Sequence, residues 1–194
     1  MIGGNKFQPN EYVGTALAHI AFVFLGLFLA GCASPADVAN MMVNQSSLIS
    51  EADSPFENAV SVGQVDGGEN TNRLGVSEVS NSAFRDALRG SLKQSHLLAP
   101  TSTNARFYIH TDLIKMIRQT SGMDFTVTSR VTYRVVERDT KETWFYMLIT
   151  APYTAVFSDS VIAVQRFRFA SEGSIRQNIK EFISRLIAVK RPPG

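Results

Sequence analysis

The chain is poor in several things, and each shortage excludes something. It has one cysteine among 194 residues, Cys32. No internal disulfide can form, so any folded part must be held by its own core. It has one long apolar run, residues 13–29, which falls short of the about 20 residues a membrane-spanning helix needs. Between Cys32 and Arg73 there is no Lys or Arg at all, and the charges are Asp37, Glu51, Asp53, Glu57, Asp66 and Glu69. There is no Gly-x-x-x-x-Gly-Lys phosphate loop, no Gly-x-Ser-x-Gly elbow and no Ser-x-x-Lys pair. Beyond the apolar run the histidines are His96 and His110, far apart and without a cysteine beside them. A zinc site needs about four convergent ligands. No catalytic residue, metal or cofactor is therefore expected, and the chain reads as a non-enzyme.

What is present begins with an address. The apolar run suits the hydrophobic region of a secretory signal, with Lys6 as its one preceding cation. It closes on Leu29-Ala30-Gly31-Cys32. This tetrad resembles the lipobox of bacterial lipoproteins. The resemblance implies cleavage between Gly31 and Cys32, a diacylglycerol on the Cys32 thiol and an acyl group on the new amine. Ala33 and Ser34 follow, with no Asp beside the cysteine. By resemblance to enterobacterial sorting, that favours the outer membrane with the domain facing the periplasm. Several acyl chains on one residue give stable anchoring where one alone is marginal.

Residues 1–31 are thus expected as signal peptide and residues 32–57 as a flexible acidic tether rich in Ser, Asn and Pro. The alternative for the tether is packing along the domain through Leu48 and Phe56. Residues 58–190 read as one α+β domain, and 191–194 as a tail. All cations except Lys6 lie at or after Arg73, so an acidic lead-in precedes a basic domain. The mild net charge of +2 and the envelope address speak against nucleic acid.

Within the domain, residues 59–65 have strand character, and Asp66-Gly67-Gly68 breaks the strand. Residues 78–97 carry Val79, Ala83, Ala87, Leu88 and Leu92 at helical spacing, with Ser77 or Ser80 as the cap. Arg85, Arg89 and Lys93 line the opposite side of that helix. Three strands follow. Residues 105–117 alternate, and residues 125–135 alternate most regularly, with Arg130 and Arg134 on the polar side. Residues 142–156 are apolar on both sides, with Trp144, Tyr146 and Leu148 expected on one and Phe145, Met147 and Ile149 on the other. Pro152 is expected to fray or bend that strand. A final helix, starting near Asp159 or Ser171 and reaching Val189, carries the stripe Ile175, Ile179, Phe182, Ile183 and Leu186. One long helix is the favoured form, at a cost of about 1 kcal/mol for Gly173. The order is β-α-β-β-β-α. The expected architecture is a two-layer sandwich: an antiparallel sheet of about four strands with two helices on one face.

Ser82-Ala83-Phe84-Arg85-Asp86-Ala87-Leu88 on the first helix and residues 170–179 on the last are similar in layout to small α+β envelope lipoproteins. These include the lipopolysaccharide-assembly lipoprotein and the auxiliary lipoproteins of ABC-type transporters. The resemblance implies an accessory or adaptor subunit of an envelope assembly or transport machine. Its expected partners are the membrane, through the lipid on Cys32, and another envelope protein. The expected contact surface is the polar sheet face at Arg130 and Arg134, the helix row at Arg85 and Arg89, or an exposed strand edge. A second reading is direct binding of lipid or glycan in an aromatic-lined pocket between helices and sheet; a core closed by those aromatics would exclude it. An envelope enzyme is the remotest of the three readings.

Overall fold

In a computed structural model of the chain, the residues described are 34–44, 48, 54–69 and 78–189. The expected signal segment, the expected lipobox with Cys32, Ser77 and the expected tail lie outside them. So does much of the expected tether.

The elements are α1 (Val38–Met41), β1 (Val60–Asp66), α2 (Asn81–Gln94), β2 (Phe107–Ser121), β3 (Asp124–Glu137), β4 (Thr143–Ala155) and α3 (Ala163–Ile187). The sheet order is β1-β2-β3-β4. The α+β class and the order of main elements are as expected, with one difference in the sheet. β1 pairs with β2 in parallel, Val60 opposite Phe107, while β2–β3 and β3–β4 are antiparallel. The reason is the connection. A strand joined to its neighbour through a helix crosses over and returns in the same direction, and residue periodicity does not report direction.

Ser80 opens α2 by accepting from the Ala83 N–H at 3.2 Å, which satisfies one of the free donors of the first turn. α3 is one continuous helix of 25 residues. Gly173 has a packing reason to sit inside it, because a Cβ there would lie 2.3 Å from Tyr153 Cδ1. Pro152 does not interrupt β4, which runs to Ala155 with Pro152 opposite Thr128. β4 is an edge strand, where a missing N–H on the outer side leaves no ladder bond unmade.

The core lies between the sheet and α2 and α3. From β3 it takes Val127, Val131, Tyr133 and Val135; from α3 it takes Ile175, Ile179, Phe182, Ile183 and Leu186, all fully buried. Tyr133 and Phe182 stack at 4.1 Å. At one end Phe56, Phe107 and Trp144 meet edge to face, at 4.8 to 6.1 Å. Trp144 is thus on the inner side, not with Tyr146 and Leu148 as the alternation implied. The β3–β4 register slips between Val135 and Val136, whose partners are Phe145 and Thr143. Trp144 is the extra residue of a bulge, and a bulge re-aims a side chain.

A polar set is sealed within this layer. Ser174 Oγ accepts from the Ser129 N–H at 2.8 Å and donates to the Ala151 carbonyl at 2.7 Å. Asn178 Oδ1 accepts from the Tyr133 hydroxyl at 2.9 Å, and its Nδ2 donates to the Ile149 carbonyl at 3.1 Å and to Ser129 Oγ at 3.2 Å. Burial pushes the Tyr133 phenol well above its ordinary pKa, so it remains a donor. Hydrogen bonds of this kind fix the register of α3 on the sheet, because any slip would leave buried polar groups unpaired.

Candidate functional site

Three surfaces stand out. The first is the uncovered side of the sheet. Its rows follow from the register: His110–Arg134–Tyr146, Asp112–Thr132–Leu148 and Lys115–Arg130–Thr150. Arg134 is exposed and Arg130 half-buried. Tyr146 keeps 70% of its surface in solvent. His110 Nδ1 accepts from the Gln64 N–H at 3.4 Å. Partial burial lowers its pKa and the Arg134 guanidinium lowers it further, against an opposing effect of Asp66. The face is therefore cationic at Arg130 and Arg134, with a neutral imidazole beside them at pH 7. It suits an acidic or hydrogen-bonding protein surface.

Arg85 and Arg89 are not part of this face. They lie on α2, in the layer that covers the opposite side of the sheet. The four arginines expected as contact residues therefore divide into two pairs on two surfaces.

The second surface is the β4 edge. A shallow groove runs between residues 148–152 of β4 and Gln177, Lys180, Glu181 and Arg185 of α3. An edge strand offers unpaired backbone groups to an added strand, and Pro152 removes one donor from the row.

The third surface is where the chain arrives from Cys32. Residues of the expected tether are packed on the helices there: Ala36, Met41 and Val43 are buried. Asp37 caps α1 by accepting from the Ala39 N–H at 2.9 Å. Glu172 of α3, only 2% exposed, accepts from the Asp37 N–H at 2.7 Å and from Asn40 Nδ2 at 2.9 Å. Burial raises the Glu172 pKa, opposed by those hydrogen bonds and by Arg168, whose Nε is 3.5 Å away. Arg176 Nη1 donates to the Asn40 carbonyl at 2.6 Å. Ser91 Oγ of α2 accepts from the Val43 N–H at 2.9 Å. A Cβ on Gly90 would lie 2.5 Å from the Met42 methyl carbon, so the missing side chain makes room for α1. Instead of hanging free, this part of the lead-in follows the alternative path along the domain. Nothing in its sequence announced that, because Met41, Met42 and Val43 carry no period, and the partners lie far along the chain: Glu172 about 130 positions from Asn40 and Ser91 about 50 from Val43.

Glu137 accepts from Arg106 Nε at 2.7 Å and from the Thr140 hydroxyl at 2.7 Å. The Thr140 hydrogen bond first, then Arg106, hold its pKa below the ordinary carboxylate value. His96 and His110 lie on different elements, His96 in the turn after α2 and His110 on β2. Of the aromatics, Phe107 and Tyr133 are buried in the core and Trp144 and Phe145 pack against it, whereas Tyr146 and Phe157 are exposed. In the run Arg166-Phe167-Arg168-Phe169, Phe167 packs on Phe125 at 4.7 Å. Arg166 is buried with its guanidinium over Phe125 and Phe157, 5.1 Å from each.

Among the described residues, the domain is a two-layer α+β sandwich with one sheet face covered and one open. No family model matches the chain, and no curated protein matches it. Solved structures do. A Xanthomonas campestris protein assigned to the family DUF330 superposes with a TM-score of 0.52 at 10% identity, over 72% of this chain and 89% of that one. A Caulobacter crescentus protein described as a candidate lipoprotein gives a TM-score of 0.49 at 11% identity, over 68% of this chain and 90% of that one. A hypothetical protein from Chlamydia trachomatis gives 0.47 at 14% identity, over 66% and 95%. At these identities the Xanthomonas likeness speaks for the fold alone.

Proposed function

We propose that the protein is an envelope lipoprotein, held on the outer membrane by acyl chains on Cys32. Its periplasmic domain serves as a non-catalytic adaptor or accessory subunit of an assembly or transport complex. The observation that carries this reading is the sequence Leu29-Ala30-Gly31-Cys32 at the close of the one long apolar run. The thiol is the acylation acceptor, and the small residues before it let a peptidase grip extended backbone. The domain then supplies the contact. The open face around Arg130 and Arg134 and the β4 edge are the surfaces offered to a protein partner. Anchoring confines the domain to one membrane and so raises its effective concentration there, which makes a weak contact sufficient.

The test is crosslinking and capture of the full-length protein from cells, with Cys32→Ala as the comparison. The reading expects a partner set that shrinks or vanishes when the anchor is lost. An unchanged set would show that tethering is not the mechanism.

A further inference from the structure

One end of the domain is apolar on its outside. Met123 in the β2–β3 turn is 62% exposed and Val161 before α3 is 76% exposed; Phe157 and Ile162 are exposed beside them. Two segments meet here, since Asp124 Oδ1 accepts from the Phe157 N–H at 3.0 Å. The loop that presents Val161 and Ile162 is tied down at several points. Asp159 Oδ2 accepts from the Val156 N–H at 2.9 Å, Ser160 Oγ accepts from the Ile162 N–H at 3.1 Å, and Arg166 donates to the Ser160 carbonyl. The apolar side chains thus point outward from a braced loop, and the two nearby carboxylates are engaged with backbone donors. Solvent-facing apolar groups gathered at one tip mark a contact with a protein or a membrane.

The reach of the chain between Asp37 and Cys32 favours the membrane. Asp37 is held at Glu172, while the Asn40 carbonyl is held by Arg176, one turn further along α3. Val43 then reaches Ser91 near the end of α2, and Phe56 reaches Phe107 and Trp144 at the far end of the sheet. From Glu172 onward the chain therefore runs towards the end of α3. From Ala163 to Glu172 along the helix axis is about 14 Å. The five residues from Cys32 to Asp37 reach at most about 17 Å. That length is enough for an acyl group on Cys32 to reach the level of Val161 and Ile162.

We infer that the tip formed by Met123, Phe157, Val161 and Ile162 sits in the phospholipid surface of the membrane that carries the Cys32 lipid. It forms a second, non-covalent membrane contact that sets the orientation of the domain. The inference rests on lipidation of Cys32. With the tip down, β3 rises away from the bilayer, and the open face with Arg130 and Arg134 stands perpendicular to it.

The test uses the full-length lipidated protein in vesicles of phosphatidylethanolamine with a minority of phosphatidylglycerol. Cys32, the one native cysteine, is blocked by its lipid, so an introduced thiol takes an environment-sensitive fluorophore alone. Val161→Cys places it at the tip, and Asp139→Cys places it in the turn beyond the far end of β3. The expected result is quenching by bilayer nitroxides about fivefold stronger at position 161 than at 139, as for side chains about 5–10 Å into the interface. Equal aqueous quenching at both positions, with the lipid on Cys32 verified by mass, overturns the tip contact and leaves lipidation standing. Shielding of position 161 in native membranes but not in pure lipid would mean a protein dock and would equally overturn it. An unmodified Cys32 in the mass spectrum removes both readings.

Discussion

Along β3, neighbouring residues live in two different surroundings. Val127, Ser129, Val131, Tyr133 and Val135 are closed beneath the helices, whereas Thr126, Thr128, Arg130, Thr132 and Arg134 look out on the other side. The backbone is shared, so the difference belongs to what covers each face. The closed face holds most of the stability, through apolar burial of about 1.5–3 kcal/mol for each large side chain and through the sealed Ser129–Tyr133–Ser174–Asn178 set. The open face contributes little to folding. The comparison makes the two faces separable by mutation.

The largest effect is expected from Phe182→Ala, which deletes the ring stacked on Tyr133. Urea unfolding should show a loss of about 3–5 kcal/mol. Next comes Asn178→Ala, which leaves the Tyr133 hydroxyl and the Ile149 carbonyl without their buried partner; a loss of about 2–3 kcal/mol is expected in the same assay. Gly173→Ala should destabilise by about 1 kcal/mol, because the crowding of Tyr153 exceeds the gain in helix propensity. In a Tyr153→Ala background the same change should become stabilising, and a double-mutant cycle reads the coupling.

A smaller effect concerns pH. Burial raises the Glu172 pKa above its unfolded value. Its contribution to stability is therefore greatest below the ordinary carboxylate pKa and declines as pH rises through the folded value. Unfolding of the wild type and of Glu172→Gln across acidic to neutral pH should show the wild type losing ground to the variant as pH increases. Smallest of all, Arg134→Ser on the open face should shift stability by no more than about 0.5 kcal/mol. It should nonetheless lower the yield of crosslinked partner, which a purely solvated arginine would not do.

The same two faces mark what the sequence could reveal. The alternation of β3 was legible because each residue's side follows from its parity, and the α3 stripe from Ile175 to Leu186 was legible for the equivalent helical reason. Trp144 was not, since a bulge shifts parity and leaves no local mark. The parallel pairing of β1 was hidden because direction is a property of the connection. Nothing local marked the pairing of Ser129 with Ser174 and Asn178, which meet across about 45 positions. Val161 and Ile162 looked like the apolar start of a helix, yet they precede α3 and face outward. Of the expected site residues, Arg130 and Arg134 lie on one open face, and Arg85 and Arg89 belong to another surface. The docking of Asp37 and Asn40 on Glu172 had no signal at all.

The account turns on the chemistry at Cys32, and mass spectrometry of the amino-terminal peptide of the mature protein reads it most directly. The account predicts a chain that begins at Cys32, with a diacylglycerol on the thiol and an acyl group on the amine. A chain that retains the residues before Cys32, or one whose Cys32 thiol is free and unmodified, would contradict it.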